Sequence, residues 1–274
     1  MIYRNIKIMG RIKIYQVDAF TSDLFTGNPA AVCPLENWLP DELMQSIALE
    51  NNLSETAFFI KKENKFFIRW FTPIIEMNLC GHATLAAAHV IFTEMDFKFD
   101  NIEFNTITGD TLKVVRNKNI LSMNFPSHEP KEVNHNLEEI SNALGVCPTF
   151  FLYCNYGLAV FKNEEEIIKI TPNFNALENL PYSGIIVTAP GKNVDFVSRF
   201  FGPKLGIKED PVTGGAHCEL IPYWSKRLNK KDMIARQLSK RGGELYCSYL
   251  GDRVIIGGKA TTYMQGELLL SYQE

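Results

Sequence analysis

The sequence lacks the spacings of a metal-binding protein: no Cys-x-x-Cys pair and no His-Glu-x-x-His pattern occurs. Cys80 and His82 alternate too closely for a metal pair, and His217 and Cys218 are adjacent. Its six cysteines follow no framework spacing, which excludes a disulfide scaffold and suits free thiols in a reducing cytoplasm. A basic tract is also missing, and 28 Lys and Arg against 31 Asp and Glu leave a net charge of −3, which argues against nucleic acid as a partner. No apolar run is long enough to cross a bilayer, which argues against a membrane role. Residues 1–11 are basic but have neither the apolar centre nor the small-residue cleavage site of a signal peptide, and they read as an extension with Met9 as an alternative start.

What is present is enough apolar residue to build cores. The chain has 274 residues, 46% of them hydrophobic, with 19 Phe, which supports one or two buried cores. Alternation predicts strands over 12–17 and 66–71, and the apolar run 56–60 predicts a buried strand. A helix over 40–50 is expected to open with Pro40 at its first position and Asp41 and Glu42 in its first turn. Residues 82–92 carry no acid, Lys or Arg on any face, so a helix there is buried all round. The polar, Pro-containing stretch 128–137 divides the chain into expected units 1–127 and 128–274. In the second unit the pattern predicts a short helix over 138–144, stopped by Gly145 and Pro148. Strands follow over 158–161, 185–188 and 196–201, then a central helix from Ala216, then strands over 235–238, 245–249 and 254–257. A last strand near 267–270 is expected to cross back to the first unit.

Three motifs concentrate the chemistry. Glu55 follows Asn52-Leu53-Ser54 and stands directly before the apolar run Thr56-Ala57-Phe58. A carboxylate at the lip of a core sheds hydration and can both give and take a proton; a solvated strand end, or a capping partner of Ser54, suits the same position. Leu79-Cys80-Gly81-His82-Ala83-Thr84 opens the buried helix, whose first-turn amides need partners and whose dipole favours an anion. Glu209-Asp210-Pro211-Val212-Thr213-Gly214-Gly215-Ala216-His217-Cys218 repeats the device, with Pro222 expected in the first turn or two of the following helix. Two glycine-led helix starts, each beside an acid, point to a pseudo-symmetric pair of domains facing one site.

Other polar and aromatic residues admit plainer roles. Arg69, inside a predicted strand, is either a buried anchor for an acid or an outward-facing residue. His89 reads as a core histidine with one hydrogen bond, and His128 and His135 as surface residues. Phe58, Phe71, Phe125 and Phe201 suit a stacking platform, although aromatics at strand spacing more often build core.

These motifs stand in order with Val17-Asp18-Ala19-Phe20-Thr21, Gly27-Asn28-Pro29-Ala30-Ala31-Val32, Arg69-Trp70-Phe71-Thr72-Pro73 and Arg241-Gly242-Gly243-Glu244-Leu245 over nearly the whole chain. The chain resembles the PhzF-like isomerases of phenazine biosynthesis, relatives of diaminopimelate epimerase. The resemblance implies an α/β (α+β) fold of two pseudo-symmetric domains, each a curled, mostly antiparallel sheet around a central helix, with the active site in the cleft between them. It implies a reaction without cofactor, in which Glu55 moves a proton between carbons of a small carboxylic acid and His82 and Asp210 complete the polar cluster. The amides of Gly81, Gly214, Gly215 and Ala216 would hold the substrate carboxylate. Relatives usually carry Ser where this chain has Gly215, so substrate preference is expected to depart more than reaction type. The epimerase relatives use two cysteines as acid and base; Cys80 stands where the first would be, and Asp210-Pro211 occupies the place of the second. Cys80 is therefore a small buried residue or a catalytic one. Two other functions stay open: an amino-acid racemase or epimerase using Cys80 with Glu55 or Asp210, and a non-catalytic protein-binding member of the fold. Related proteins are often dimers, so a cytoplasmic homodimer is the expected assembly.

Overall fold

The structure, a computed structural model, describes residues 10–63, 65–133 and 136–270; the greater part of the N-terminal extension, with Met9, and His135 lie outside the described residues. The first half lays down the strands Gly10–Ala19, Asn28–Leu35, Glu55–Lys62, Lys65–Phe71, Asn101–Asn105, Thr111–Asn117 and Ile120–Pro126. Successive neighbours pair antiparallel, parallel, antiparallel, parallel, antiparallel and antiparallel. The second half repeats that order with Phe150–Tyr153, Gly157–Val160, Ile185–Pro190, Phe196–Gly202, Asp232–Gln237, Gly243–Tyr249 and Arg253–Gly258. The pseudo-symmetry anticipated from two motifs is thus written into the strand pairing of the whole chain.

Parallel neighbours need a crossover long enough to return the chain, and helices fill all four. Helix α1 (Asp41–Asn51) and helix α2 (Gly81–Glu94) serve the first half. After α3 (Leu137–Leu144), which leads into the second half, the short helices α4 (Glu164–Lys169) and α5 (Phe174–Asn179) share one crossover and α6 (Gly214–Leu228) makes the other. Ten of the 14 residues of α2 are buried, as its lack of charge predicts. Helices α2 and α6 lie in one continuous core with the inner faces of the strands. Helix α1 covers strands of the first half through Met44, Ile47 and Ala48, and α3, α4 and α5 cover strands of the second. Two ladders tie the halves together: Ile120–Pro126 pairs with Arg253–Gly258, and the last strand, Ala260–Leu270, crosses back to pair with Gly10–Ala19.

Several local expectations are corrected. Pro40 is the residue before α1 and keeps an extended backbone, with φ −55° and ψ 144°, rather than its first helical position. Pro222 sits in the third turn of α6, not the first or second. Its missing N–H would leave the Cys218 carbonyl unpaired, but that oxygen accepts from the His128 amide at 2.9 Å. His128 is accordingly only half-exposed, with its ring Nδ1 2.7 Å from Asn155 Nδ2. Arg69 is the buried anchor of the two alternatives: Nε and Nη2 grip Glu76 at 2.6 and 2.7 Å, and Nη1 donates to Asp41 at 2.8 Å. His89 is partly buried against Thr262 Oγ1 at 3.0 Å, and Phe58, Phe71, Phe125 and Phe201 are all core. Among the described residues no helix is long and apolar enough to cross a membrane.

Candidate active site

Helices α2 and α6 begin at the same place in space. A Cβ built on Gly214 would lie 4.0 Å from the Gly81 Cα, an ordinary van der Waals contact, so the two glycine starts stand side by side. Helices α3, α4 and α5 are each capped by an Asn side chain, from Asn136, Asn163 and Asn173. Cys80 and Thr213, the residues preceding α2 and α6, give no such cap, so the first-turn amides of both helices are left for something else to satisfy. A cleft of about 250 Å³ opens there.

Glu55 begins its strand beside this cleft and His82 is the second residue of α2. His82 Nε2 lies 2.9 Å from Glu55 Oε2. The angle at this contact is poor for a hydrogen bond, so both buried atoms stand as an ion pair with bonding capacity to spare. Burial alone would lower the His82 pKa, but the acidic groups of Cys80 and Glu55 outweigh it and hold the value well above the ordinary histidine range. Cys80 Sγ is 3.5 Å from His82 Nδ1. Burial, and then the Glu55 charge, push its thiol up.

Asp210 enters from the other half. Burial pushes its carboxyl up to about 6, against the opposing pull of His82 and of hydrogen bonds from Thr213 Oγ1 at 2.5 Å and Asn28 Nδ2 at 3.0 Å. Asn28 Nδ2 also reaches the Val212 carbonyl at 2.9 Å, and Gln237 receives the Thr213 amide while donating to the Asp210 carbonyl, at 2.9 and 2.8 Å. The motif Gly27-Asn28-Pro29 therefore steers Asp210 across the seam. Gly27 has φ +69°, and a Cβ on it would stand 2.2 Å from the Ala19 carbonyl, so only glycine turns the chain here.

Of the residues singled out from sequence, Glu55, Gly81, His82, Asp210, Gly214 and Gly215 line the cleft. Ala216 is buried one residue further along α6 and is not part of its wall. Cys80 and Cys218 both face the cleft, whereas His217 is a core histidine, its Nδ1 against the Thr213 carbonyl at 2.8 Å and its pKa pushed down to about 4 by burial. Asn28, Thr213, Gln237 and Tyr156, which lines the cleft opposite Gly215, escaped sequence reasoning. No Lys or Arg stands among the described residues of the wall, which is otherwise Leu79, Phe125, Phe200, Ile207 and similar side chains. Glu55, Cys80 and His82 bring one ligand atom each within 4.8 Å of one another, a set able to hold a cation. A second cavity of about 250 Å³ lies beside the 20–26 loop, but its Arg236 and Arg241 are already tied to Glu244 and Asp18.

Residues 17–266 match the family model described as phenazine biosynthesis-like protein, PhzC-PhzF. A Pseudomonas aeruginosa protein named as an uncharacterized isomerase is 50% identical, over 95% of this chain and 100% of its own length. A crystal structure of a PhzF-family protein from Enterococcus faecalis is 47% identical and superposes with a TM-score of 0.93, covering 95% of this chain and 100% of that one. A hydroxyproline epimerase of Agrobacterium vitis shares the fold alone, at 9% identity and a TM-score of 0.61 over 94% of this chain and 91% of that one. With its paired half-sheets, its two facing helix starts and these matches over nearly its full length, the chain belongs to the phenazine biosynthesis-like PhzC-PhzF family of isomerase-like proteins.

Proposed function

We propose that this protein is a cofactor-independent isomerase that moves a proton within a small carboxylic acid, with Glu55 as general base and then general acid. The observation that carries the reading is the meeting of two uncapped helix starts beside the buried Glu55 and His82 pair. Amides at Gly81, Gly214 and Gly215 would take the substrate carboxylate, placing an anion where both helix dipoles favour one. Ionised Glu55 removes a proton from one carbon, leaving an electron pair delocalised toward the held carboxylate, and returns that proton to another carbon of the same molecule. His82, as imidazolium, stabilises the charge that develops between the two steps. Asp210 completes the cluster from the opposite wall, where it suits an amino or hydroxyl group of the substrate. On this reading residues 1–127 supply the base and residues 128–274 the facing wall.

The test is proton NMR in D2O on a panel of small acids, including dihydro-hydroxyanthranilate and several amino acids. Glu55→Gln is expected to stay folded and to lose substrate C–H exchange by roughly 10² or more. Dialysis against EDTA is expected to leave exchange unchanged. Wild-type exchange that survives Glu55→Gln would remove Glu55 from its role, and loss with EDTA would mean that the Glu55, Cys80 and His82 set works through a metal.

One observation favours a second reading, a racemase or epimerase: Cys80 Sγ stands 3.5 Å from His82 Nδ1 in the cleft wall. Cys80→Ala separates the two, leaving exchange within about threefold on the first reading and abolishing it on the second.

A further inference from the structure

Glu219 takes no part in the chemistry above, yet it is 0% exposed, on α6 one residue beyond Cys218. A carboxylate is costly to bury without partners. Its Oε1 accepts from two successive backbone amides, Asn155 and Tyr156, at 3.1 Å each, and its buried Oε2 has no hydrogen-bond partner. The amides belong to the turn between the strands Phe150–Tyr153 and Gly157–Val160. The same turn is held by Cys154 N to Tyr156 O at 3.3 Å, and Gly157 N bonds the Gly184 carbonyl at 3.0 Å.

What the turn presents is Tyr156. Its ring packs edge-on against Phe200 at 5.0 Å, and its hydroxyl stands 3.6 Å from the position of a Cβ on Gly215, over the opening of α6. Among the described residues that hydroxyl has no protein hydrogen bond, although it faces the cleft. Because position 215 carries no side chain, nothing on that residue stands between the tyrosine hydroxyl and the helix start.

We propose that Tyr156 is a substrate-contacting residue, donating its hydroxyl to the anionic end of the substrate beside Gly215, and that Glu219 is the positioning residue that fixes it there. The contact rests on the reading of the cleft as a carboxylate site; the anchoring does not. Burial pushes the Glu219 carboxyl up to about 7, while the Tyr156 and Asn155 amides pull it down. The anchor therefore changes charge across neutral pH, and the two amide protons report it. The titratable groups around it are Cys154 and Tyr156 on the turn and Cys218 on α6, with Lys131 beyond Cys154, Arg253 beyond Cys218, and the His128 ring on Asn155.

The experiment combines amide NMR of the full chain from pH 5.5 to 8.5 with titration by benzoate as the probe. The Asn155 and Tyr156 amides are expected to shift together with a midpoint near 7. Glu219→Gln keeps an acceptor oxygen for both amides, so it should bind benzoate as the wild type does but lose the titration. Glu219→Leu and Tyr156→Phe should each weaken benzoate about 10-fold, the scale of one hydrogen bond to a charged group. Wild-type affinity in Tyr156→Phe overturns the contact. Asn155 and Tyr156 amides whose shifts Glu219→Gln leaves unchanged at every pH overturn the anchor, as does wild-type affinity in a folded Glu219→Leu. No benzoate binding by the wild type brings down the cleft reading and the contact together, while the amide titration still decides the anchor.

Discussion

At Asp210, burial and hydrogen bonding oppose one another, and burial wins: the carboxyl sits near 6 instead of 3.8. The folded chain thus holds a proton that the unfolded chain has released. The stability this proton contributes is complete below about 3.8 and is lost as pH rises through about 6, a difference on the order of 3 kcal/mol. Asp210→Asn cannot ionise and escapes the loss. Its stability relative to wild type should rise by roughly 2–3 kcal/mol between pH 4 and 7.5 in urea melts; a constant difference would show that Asp210 titrates alike folded and unfolded. The placement of Glu55, His82 and Asp210 at one cleft was legible in the sequence, because His82 and Asp210 stand in short motifs beside glycine-led helix starts and Glu55 stands at the lip of an apolar strand. Asn28 was not, because its meaning lies 182 residues away, at the carboxylate it orients. Arg69 was ambiguous for a related reason: alternation gives a strand residue a side, and only the presence of Glu76 and Asp41 on that side makes it a buried anchor.

Elements with a strong periodic signal came through well. The strands expected over 12–17 and 66–71 lie inside Gly10–Ala19 and Lys65–Phe71, and the charge-free segment is the central helix α2. Helices α4 and α5, six residues each, are too short to display a helical period, and they were not anticipated. Pro222 misled because proline was placed by its dislike of helix interiors, whereas the structure compensates the lost bond through the His128 amide. The last strand has the largest structural leverage, since its 11 residues cover the whole length of Gly10–Ala19. A chain ending at Lys259 exposes that strand as an open edge. It is expected to lose its cooperative thermal transition and to associate at micromolar concentration; a sharp melt by circular dichroism and a monodisperse profile would show the strand to be dispensable.

For the whole molecule, the shared core and the two inter-half ladders imply that the halves do not unfold separately. Trp70 and Trp224, one in each half, are both fully buried and serve as local probes. In Trp70→Phe and Trp224→Phe, each with Trp38→Phe, the remaining fluorescence should report transitions of the same shape and span in guanidinium. Two separated transitions within either protein would show that the halves unfold independently. The homodimer expected from the resemblance is checked by light scattering, where a single 31.1 kDa species would discard it.

The cleft wall, lined by helix starts and without lysine or arginine among the described residues, has a consequence for how a substrate arrives. On the proposed reading it seats an anion on a chain of net charge −3, and the partial charges of helix ends act only over the last few ångströms. Nothing draws the anion in from a distance. Added salt then screens a weak repulsion rather than an attraction, so capture should quicken slightly as ionic strength rises, the reverse of an anion site built from basic side chains.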